Sequence, residues 1–278
     1  MKKQKLAPPA KAGVKSEKNK ITAPLSSRRG ERRTVGASRG EGKIIGIIPA
    51  RYASTRYPGK ALAMIKGKPM IQHVWENASK SKLLDKVIVA TDDKRIYNTV
   101  VDFGGNAEMT LSKHKSGTDR IGEIAKWMIC DIVVNIQGDE PFINPLNIDM
   151  AIKPLLDDEN LNVSTLCYKI KDKSEINNPN IVKVVCDKDG CALLFSRNPI
   201  PYNRDNIKNI NYYKHIGLYV YGREYLLKLI KLKQSSLEKA EQLEQLRILE
   251  NGEKIKVVET NIDSISIDTI EDLKKLHK

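Results

Sequence analysis

From Lys43 onward the chain alternates short apolar runs with longer segments of helical spacing. Ile44, Ile45, Ile47 and Ile48 make a nearly continuous apolar run that stops at Pro49. Continuous apolarity, as opposed to strict alternation, marks a strand buried on both faces. Over 70–84, Met70, Ile71, Val74, Trp75 and Ala78 recur at the spacing of a helix. The pattern then predicts a strand over 86–90, a helix over 93–103 ending at Gly104-Gly105, a short strand near Ala107, a helix over 117–128 and an apolar strand over 131–136. Strands apolar on both sides and separated by helices predict an α/β fold, a mostly parallel Rossmann-like sheet covered on both faces.

The rhythm changes after Asn160. Strands are predicted over 163–170, 181–186, 191–195 and 212–221 with little helix between them, which reads as an antiparallel insertion. Helices over 223–232 and 237–250, a strand over 254–259 and a closing helix over 270–276 complete the chain. No apolar run approaches the ~20 residues that span a bilayer.

Charge divides the chain unevenly. The formal net charge of the 278 residues is +14, and residues 1–42 contribute +9 of it through 12 Lys/Arg and three Glu. That segment has no aromatic residue and three prolines, so it reads as a disordered basic tail ahead of a folded domain over 43–278. A nucleic-acid-binding role is disfavoured, because the charge sits in the tail and aromatics make up 5% of the chain. Cys130, Cys167, Cys186 and Cys191 form no CxxC pair, which speaks against zinc and for reduced thiols in a cytoplasmic protein. Cys186 and Cys191 flank Asp187-Lys188-Asp189-Gly190, a turn sequence.

The candidate chemistry lies at strand ends. The loop after the first strand carries Arg51, Arg56 and Lys60, with no acidic residue between Glu41 and Glu76. Ligands of open parallel sheets bind beyond the carboxyl ends of the strands, and Arg and Lys there suit a polyphosphate. The loop is not GxGxxG, so a dinucleotide is not supported. The strand over 131–136 runs into Gln137-Gly138-Asp139-Glu140-Pro141. Asp139 beside phosphate oxygens would suit Mg²⁺; the other reading is a cap on the helix that follows. Asp268, before Thr269, is a second candidate acid or an ordinary helix cap. From position alone His215 reads as a core histidine, and Glu241 with Gln245, spaced i, i+4, as a solvated helix face.

Taken together, IIPARYASTRYPGK (47–60), GKPMIQHV (67–74), HKSGTDR (114–120), VNIQGDEP (134–141), NPNIVKVV (178–185), FSRNPIPY (195–202), HIGLYVY (215–221) and LEQLRILENGEKI (243–255) resemble the 3-deoxy-manno-octulosonate (Kdo) cytidylyltransferases, in order and spacing, over 43–278. The resemblance implies a nucleotide-diphospho-sugar-transferase type of sheet with an antiparallel insertion for dimerisation and substrate. It implies a cytoplasmic homodimer that uses CTP, Kdo and Mg²⁺ to make CMP-Kdo and diphosphate for lipopolysaccharide biosynthesis. It also implies roles: Arg51, Arg56 and Lys60 on the triphosphate; Ser116, Gly117, Thr118 and Gln137 around the nucleotide; Asp139 and Asp268 on the metal and, with Lys60, catalytic; Arg197, His215, Tyr219, Glu241 and Gln245 in the sugar-acid pocket. A related enzyme for another sugar acid is the runner-up. The stretch Asp263-Ser264-Ile265-Ser266 departs from the Pro/Gly-containing approach common in the family.

Overall fold

The computed structural model describes residues 42–53, 57–267 and 269–275. The tail up to residue 41, Arg56 and Asp268 lie outside the described residues. In chain order the first half comprises β1 (Ile44–Ala50), a 3-10 turn (Lys60–Leu62), the hairpin β2 (Met64–Ile65) and β3 (Lys68–Pro69), α1 (Met70–Ala78), β4 (Lys86–Thr91), α2 (Lys94–Asp102), β5 (Asn106–Met109), α3 (Gly117–Trp127) and β6 (Ile132–Asn135). The second half comprises α4 (Pro145–Asp157), β7 (Val163–Lys169), a 3-10 turn (Lys173–Asn177), β8 (Lys183–Cys186), β9 (Ala192–Ser196), β10 (Tyr213–Gly222), α5 (Arg223–Leu229), α6 (Ser236–Glu241), α7 (Gln245–Glu250), β11 (Lys256–Thr260) and α8 (Ile270–Lys275).

One mixed sheet runs in the order β11-β7-β10-β6-β1-β4-β5, with the β8–β9 hairpin attached to β10. β6, β1, β4 and β5 are mutually parallel. β10 is inserted antiparallel between β6 and β7. The chain moves from β1 outward through β4 to β5, then returns to the other side of β1 as β6. The β1/β6 boundary is therefore the topological switch point, where the strand ends leave a crevice.

The strand pattern explains the layers. Ile44 and Ile48 face a core shared with α1 and α4, through Ile71, Val74, Ile148 and Leu155. Ile45 and Ile47 face the opposite core, shared with α3 and α5 through Ile121, Ile124, Leu226 and Leu229. Both faces of β1 are thus apolar, as a doubly covered strand requires.

Three local expectations change. The helix predicted over 70–84 ends at Ala78. Beyond it, Asp149 on α4 accepts from Ser81 Oγ at 2.5 Å and from the Lys82 and Leu83 N–H groups, so a carboxylate distant in sequence captures donors that a continuing helix would have used. The helix predicted over 237–250 breaks at Gln242, which is left-handed at φ 52°. Asp139 is no helix cap: α4 starts at Pro145, and the Asn144 side chain accepts from Leu146 N–H. The turn between Cys186 and Cys191 forms as expected, with Gly190 at φ 73°, and the four cysteines are unpaired thiols. Among the described residues no helix is long and apolar enough to cross a membrane.

Candidate active site

The loop after β1 is closed by the Gly59 N–H, which donates to the Tyr52 carbonyl at 2.8 Å. Gly59 has φ 72°, and a Cβ there would lie 3.1 Å from the Tyr52 ring, so glycine is needed twice over. The 3-10 turn that follows aims Lys60 back across the switch point. Its Nζ meets Asp139 Oδ2 at 2.6 Å. Asp139 arrives from β6 over Gly138, whose missing side chain lets the backbone approach: a Cβ would lie 2.9 Å from the Pro49 carbonyl oxygen.

Between these two loops a cavity is lined by Arg51, Lys60, Gly117, Arg120, Gln137 and Asp139. Gly117 opens α3, so the N-terminal end of an eleven-residue helix adds its dipole to this wall. Arg51, Lys60 and Arg120 line this cavity, Lys60 paired with Asp139 at 2.6 Å and Arg120 with Asp92. Arg120 is the residue that sequence reasoning missed. It is 0% exposed, its guanidinium bonds Asp92 at 2.9 Å and Thr110, and its Nε has no partner among the described residues. Its signal was present: Arg120 stands four residues before Ile124, on the apolar face of α3.

The SGT segment is divided among three surroundings. Ser116 caps α3, accepting from Asp119 N–H at 3.0 Å, and faces a neighbouring cavity. Gly117 lines the cationic cavity, and Thr118 lines a second one around His215. Gln137 joins these two cavities and a third, larger one of about 690 Å³ that also touches Asp139, Arg197 and Lys214. The Gln137 Nε2 donates to the Gly217 carbonyl at 3.1 Å. The volume lies in the small-molecule range of about 300–1,000 Å³.

The cavity around His215 sets a few buried polar groups into a mainly apolar wall. Asn135 Oδ1 and Tyr219 Oη there are buried without a hydrogen-bond partner among the described residues. Burial pulls His215 down to about 3, so its ring is neutral, and holds the Tyr219 phenol well above its ordinary value. Gln245 lines this cavity beside Glu244, whose carboxylate accepts from Thr118 Oγ1 at 2.6 Å. Burial raises Glu244 above the usual carboxylate range.

Glu241 is placed elsewhere. The break at Gln242 separates it from Gln245, so the two do not share the expected helix face. Its carboxylate accepts from Ser196 Oγ at 2.6 Å and from Arg197 N–H at 3.0 Å. Arg197 in turn donates from Nε to the Glu241 carbonyl and from Nη1 to the Pro179 carbonyl. Arg197 and Glu241 therefore bind the loop after β9 to the α6–α7 junction, while Arg197 also borders the 690 Å³ cavity. Glu140 is fully buried; burial pushes it up to about 7, against the lowering effect of its hydrogen bond from Ser264.

Among the described residues no three His, Cys, Asp or Glu side chains gather as a metal cluster. Asp139 is the carboxylate whose position suits a divalent cation shared with a polyphosphate, since Mg²⁺ takes few protein ligands beside phosphate oxygens. The Ile267 N–H donates to the Asp139 carbonyl at 2.9 Å, which ties the strand-end loop to the segment that precedes α8.

Comparison with known proteins is consistent with this geometry. A family model described as cytidylyltransferase matches residues 45–255. A protein of Geotalea daltonii named 3-deoxy-manno-octulosonate cytidylyltransferase is 53% identical over 244 residues, covering 84% of this chain and 96% of that protein. A solved CMP:2-keto-3-deoxy-manno-octonic acid synthetase complexed with CTP superposes with a TM-score of 0.81 at 44% identity, over 84% of this chain and 96% of the other. The 4-diphosphocytidyl-2C-methyl-D-erythritol synthase of Anaerococcus prevotii shares the fold, with a TM-score of 0.55 at 18% identity, over 85% of this chain and 97% of the other.

Proposed function

The chain belongs to the cytidylyltransferase family, and from that premise we propose that it transfers CMP from CTP to the anomeric hydroxyl of Kdo, releasing diphosphate, for lipopolysaccharide biosynthesis. The observation that carries the reading is Gln137, which lines both the cationic cavity at the switch point and the two cavities that His215 borders.

The anomeric oxygen forms a bond to the α-phosphorus as the bond to the departing diphosphate breaks, and the hydroxyl proton leaves. No side-chain nucleophile is needed; the main requirement is to hold and neutralise negative charge. Arg51, Arg56 and Lys60 bind the triphosphate, with Arg120 and the N-terminus of α3 beside them. Gly117, Thr118 and Gln137 border the nucleotide, and Ser116 shapes that wall by capping α3. Asp139 and Asp268 would hold magnesium. That ion, when bound, supplies charge neutralisation at the phosphate and polarisation of the attacking hydroxyl. His215, Tyr219 and Gln245 line the acceptor site, joined by Glu244. Arg197 borders it; with Nη1 donating to the Pro179 carbonyl and Nη2 to the Gln242 carbonyl, each terminal nitrogen keeps one N–H uncommitted among the described residues for the acceptor's carboxylate, and Glu241 fixes the Arg197 backbone.

The domain that does this is 43–278, and residues 1–42 are outside the reaction. We take the cytoplasm, where CTP is made, as its compartment, and a homodimer as its form. Exposed Leu193, Tyr202 and Ile207, at 63%, 85% and 61%, support a second copy docking on the β8–β9 side. Diphosphate release from CTP against a panel of sugar acids and sugar phosphates tests the activity. Release dependent on Kdo is expected; release driven better by another acceptor, or none with any, would reject the assignment.

A further inference from the structure

β10 slips its pairing with β7 between Ile216 and Tyr219, at a bulge. Thr165, fully buried on β7, reaches into that bulge. Its Oγ1 lies 2.7 Å from the Leu218 carbonyl oxygen, 3.2 Å from the Ile216 carbonyl oxygen and 3.0 Å from Nε2 of His215. A threonine hydroxyl has one proton, and carbonyl oxygens only accept. The proton therefore goes to a carbonyl, Leu218 being nearer, and Oγ1 meets Nε2 with a lone pair. Nε2 must carry the imidazole proton. The buried ring is neutral, so it has no second N–H. Nδ1 is left bare on a ring that borders both acceptor cavities, and it makes no hydrogen bond among the described residues.

We propose that Thr165 is a positioning residue that locks His215 in the Nε2–H tautomer, so that Nδ1 accepts a hydrogen bond from a hydroxyl of the sugar acid and does not meet its carboxylate. A neutral ring presenting a lone pair repels a carboxylate and recognises a donor. The carboxylate is left to Arg197 in the adjoining cavity, where Lys214 is already paired with Glu175 and Asp263. The identity of the acceptor rests on the cytidylyl-transfer reading; the tautomer does not.

The tautomer is read directly by long-range ¹H–¹⁵N correlation on protein labelled at its histidine nitrogens, with His215 assigned by the signals lost in His215→Gln. A protonated Nε2 and a bare Nδ1 are expected at neutral pH; a protonated Nδ1, or an even mixture, overturns the proposal whatever the turnover. Thr165→Val removes the lone pair at nearly constant shape. It should redistribute the tautomers and raise the acceptor KM about three- to tenfold, the weight of one neutral hydrogen bond, with CTP affinity unchanged. Thr165→Ser should restore both. An unchanged acceptor KM in folded Thr165→Val, or an equal loss for CTP, overturns the positioning role. If stranding two carbonyls unfolds the valine variant, the wild-type spectrum and Thr165→Ser still decide. A wild-type protein that shows the Nε2–H spectrum yet releases no diphosphate with Kdo would refute the acceptor half through the functional reading and leave the tautomer standing.

Discussion

Asp139 answers to two partners at once: its carboxylate holds Lys60 at 2.6 Å, and its carbonyl accepts from Ile267 N–H. Asp139→Asn keeps the side-chain shape and the carbonyl bond while removing the charge. Turnover should fall by about 10²–10³-fold or more, on the scale of losing one group that stabilises transition-state charge. The partly exposed ion pair is worth at most about 1 kcal/mol, so thermal melting should move by only a few degrees. Diphosphate-release kinetics beside a melting curve checks both. His215 gives a second prediction at this scale. Burial lowers its folded pKa to about 3 from 6.5. The unfolded chain therefore binds the extra proton first. The contribution of a neutral His215 is present in full above about pH 6.5 and is lost as pH falls through that window. The slope approaches about 1.4 kcal/mol per pH unit. Between pH 6.5 and 5, wild-type protein should lose about 2 kcal/mol more stability than His215→Gln in urea unfolding.

Elements meet at this site through a few backbone approaches. Gly138→Ala sets a methyl 2.9 Å from the Pro49 carbonyl oxygen, a backbone atom that cannot rotate aside. The ends of β1 and β6 must then separate, at about 1–3 kcal/mol, the usual cost of overpacking. Because Arg51 and Asp139 sit on those two ends, turnover should fall more than stability does; urea unfolding and kinetics on the same sample measure the two. Lys183 does comparable work on the other side. At 0% exposure it donates to the Asn178 and Ile181 carbonyls, at 3.0 and 2.6 Å, and to the Arg197 carbonyl. One buried ammonium thereby gathers the NPNIV loop and the Arg197 loop through carbonyl oxygens alone among the described residues.

For the whole molecule, charge and fold are separable. Residues 1–42 carry +9 of the +14 and have no aromatic side chain, so their composition gives them little with which to join a core. Deleting them should leave the melting temperature unchanged within a few degrees and kcat/KM within about twofold. Calorimetry and steady-state kinetics on the truncated protein check this, and a large fall in either would mean that the segment packs on the domain. The same deletion should leave the proposed dimer intact in sedimentation, since the residues proposed to form its surface, Leu193, Tyr202 and Ile207, are retained.

The residues alone were enough for the long strands of the sheet and for the change of rhythm after Asn160, though not for the short β2–β3 hairpin. Doubly apolar runs, helical spacing and a run of residues without acid are local patterns, and local sterics and burial act on them directly. The motif order carried the family by itself. What local pattern could not decide is which side of a helix survives when a distant group competes for it. Asp149 ended α1 early, and the left-handed Gln242 parted Glu241 from Gln245, leaving Glu244 to line the cavity around His215. Arg120 was visible only as a charge on an apolar face until the fold set Asp92 and Thr110 around it. The tautomer of His215 is the extreme case. It depends on one hydroxyl proton shared out among groups on two strands fifty residues apart in sequence, at a bulge that exists only once those strands pair.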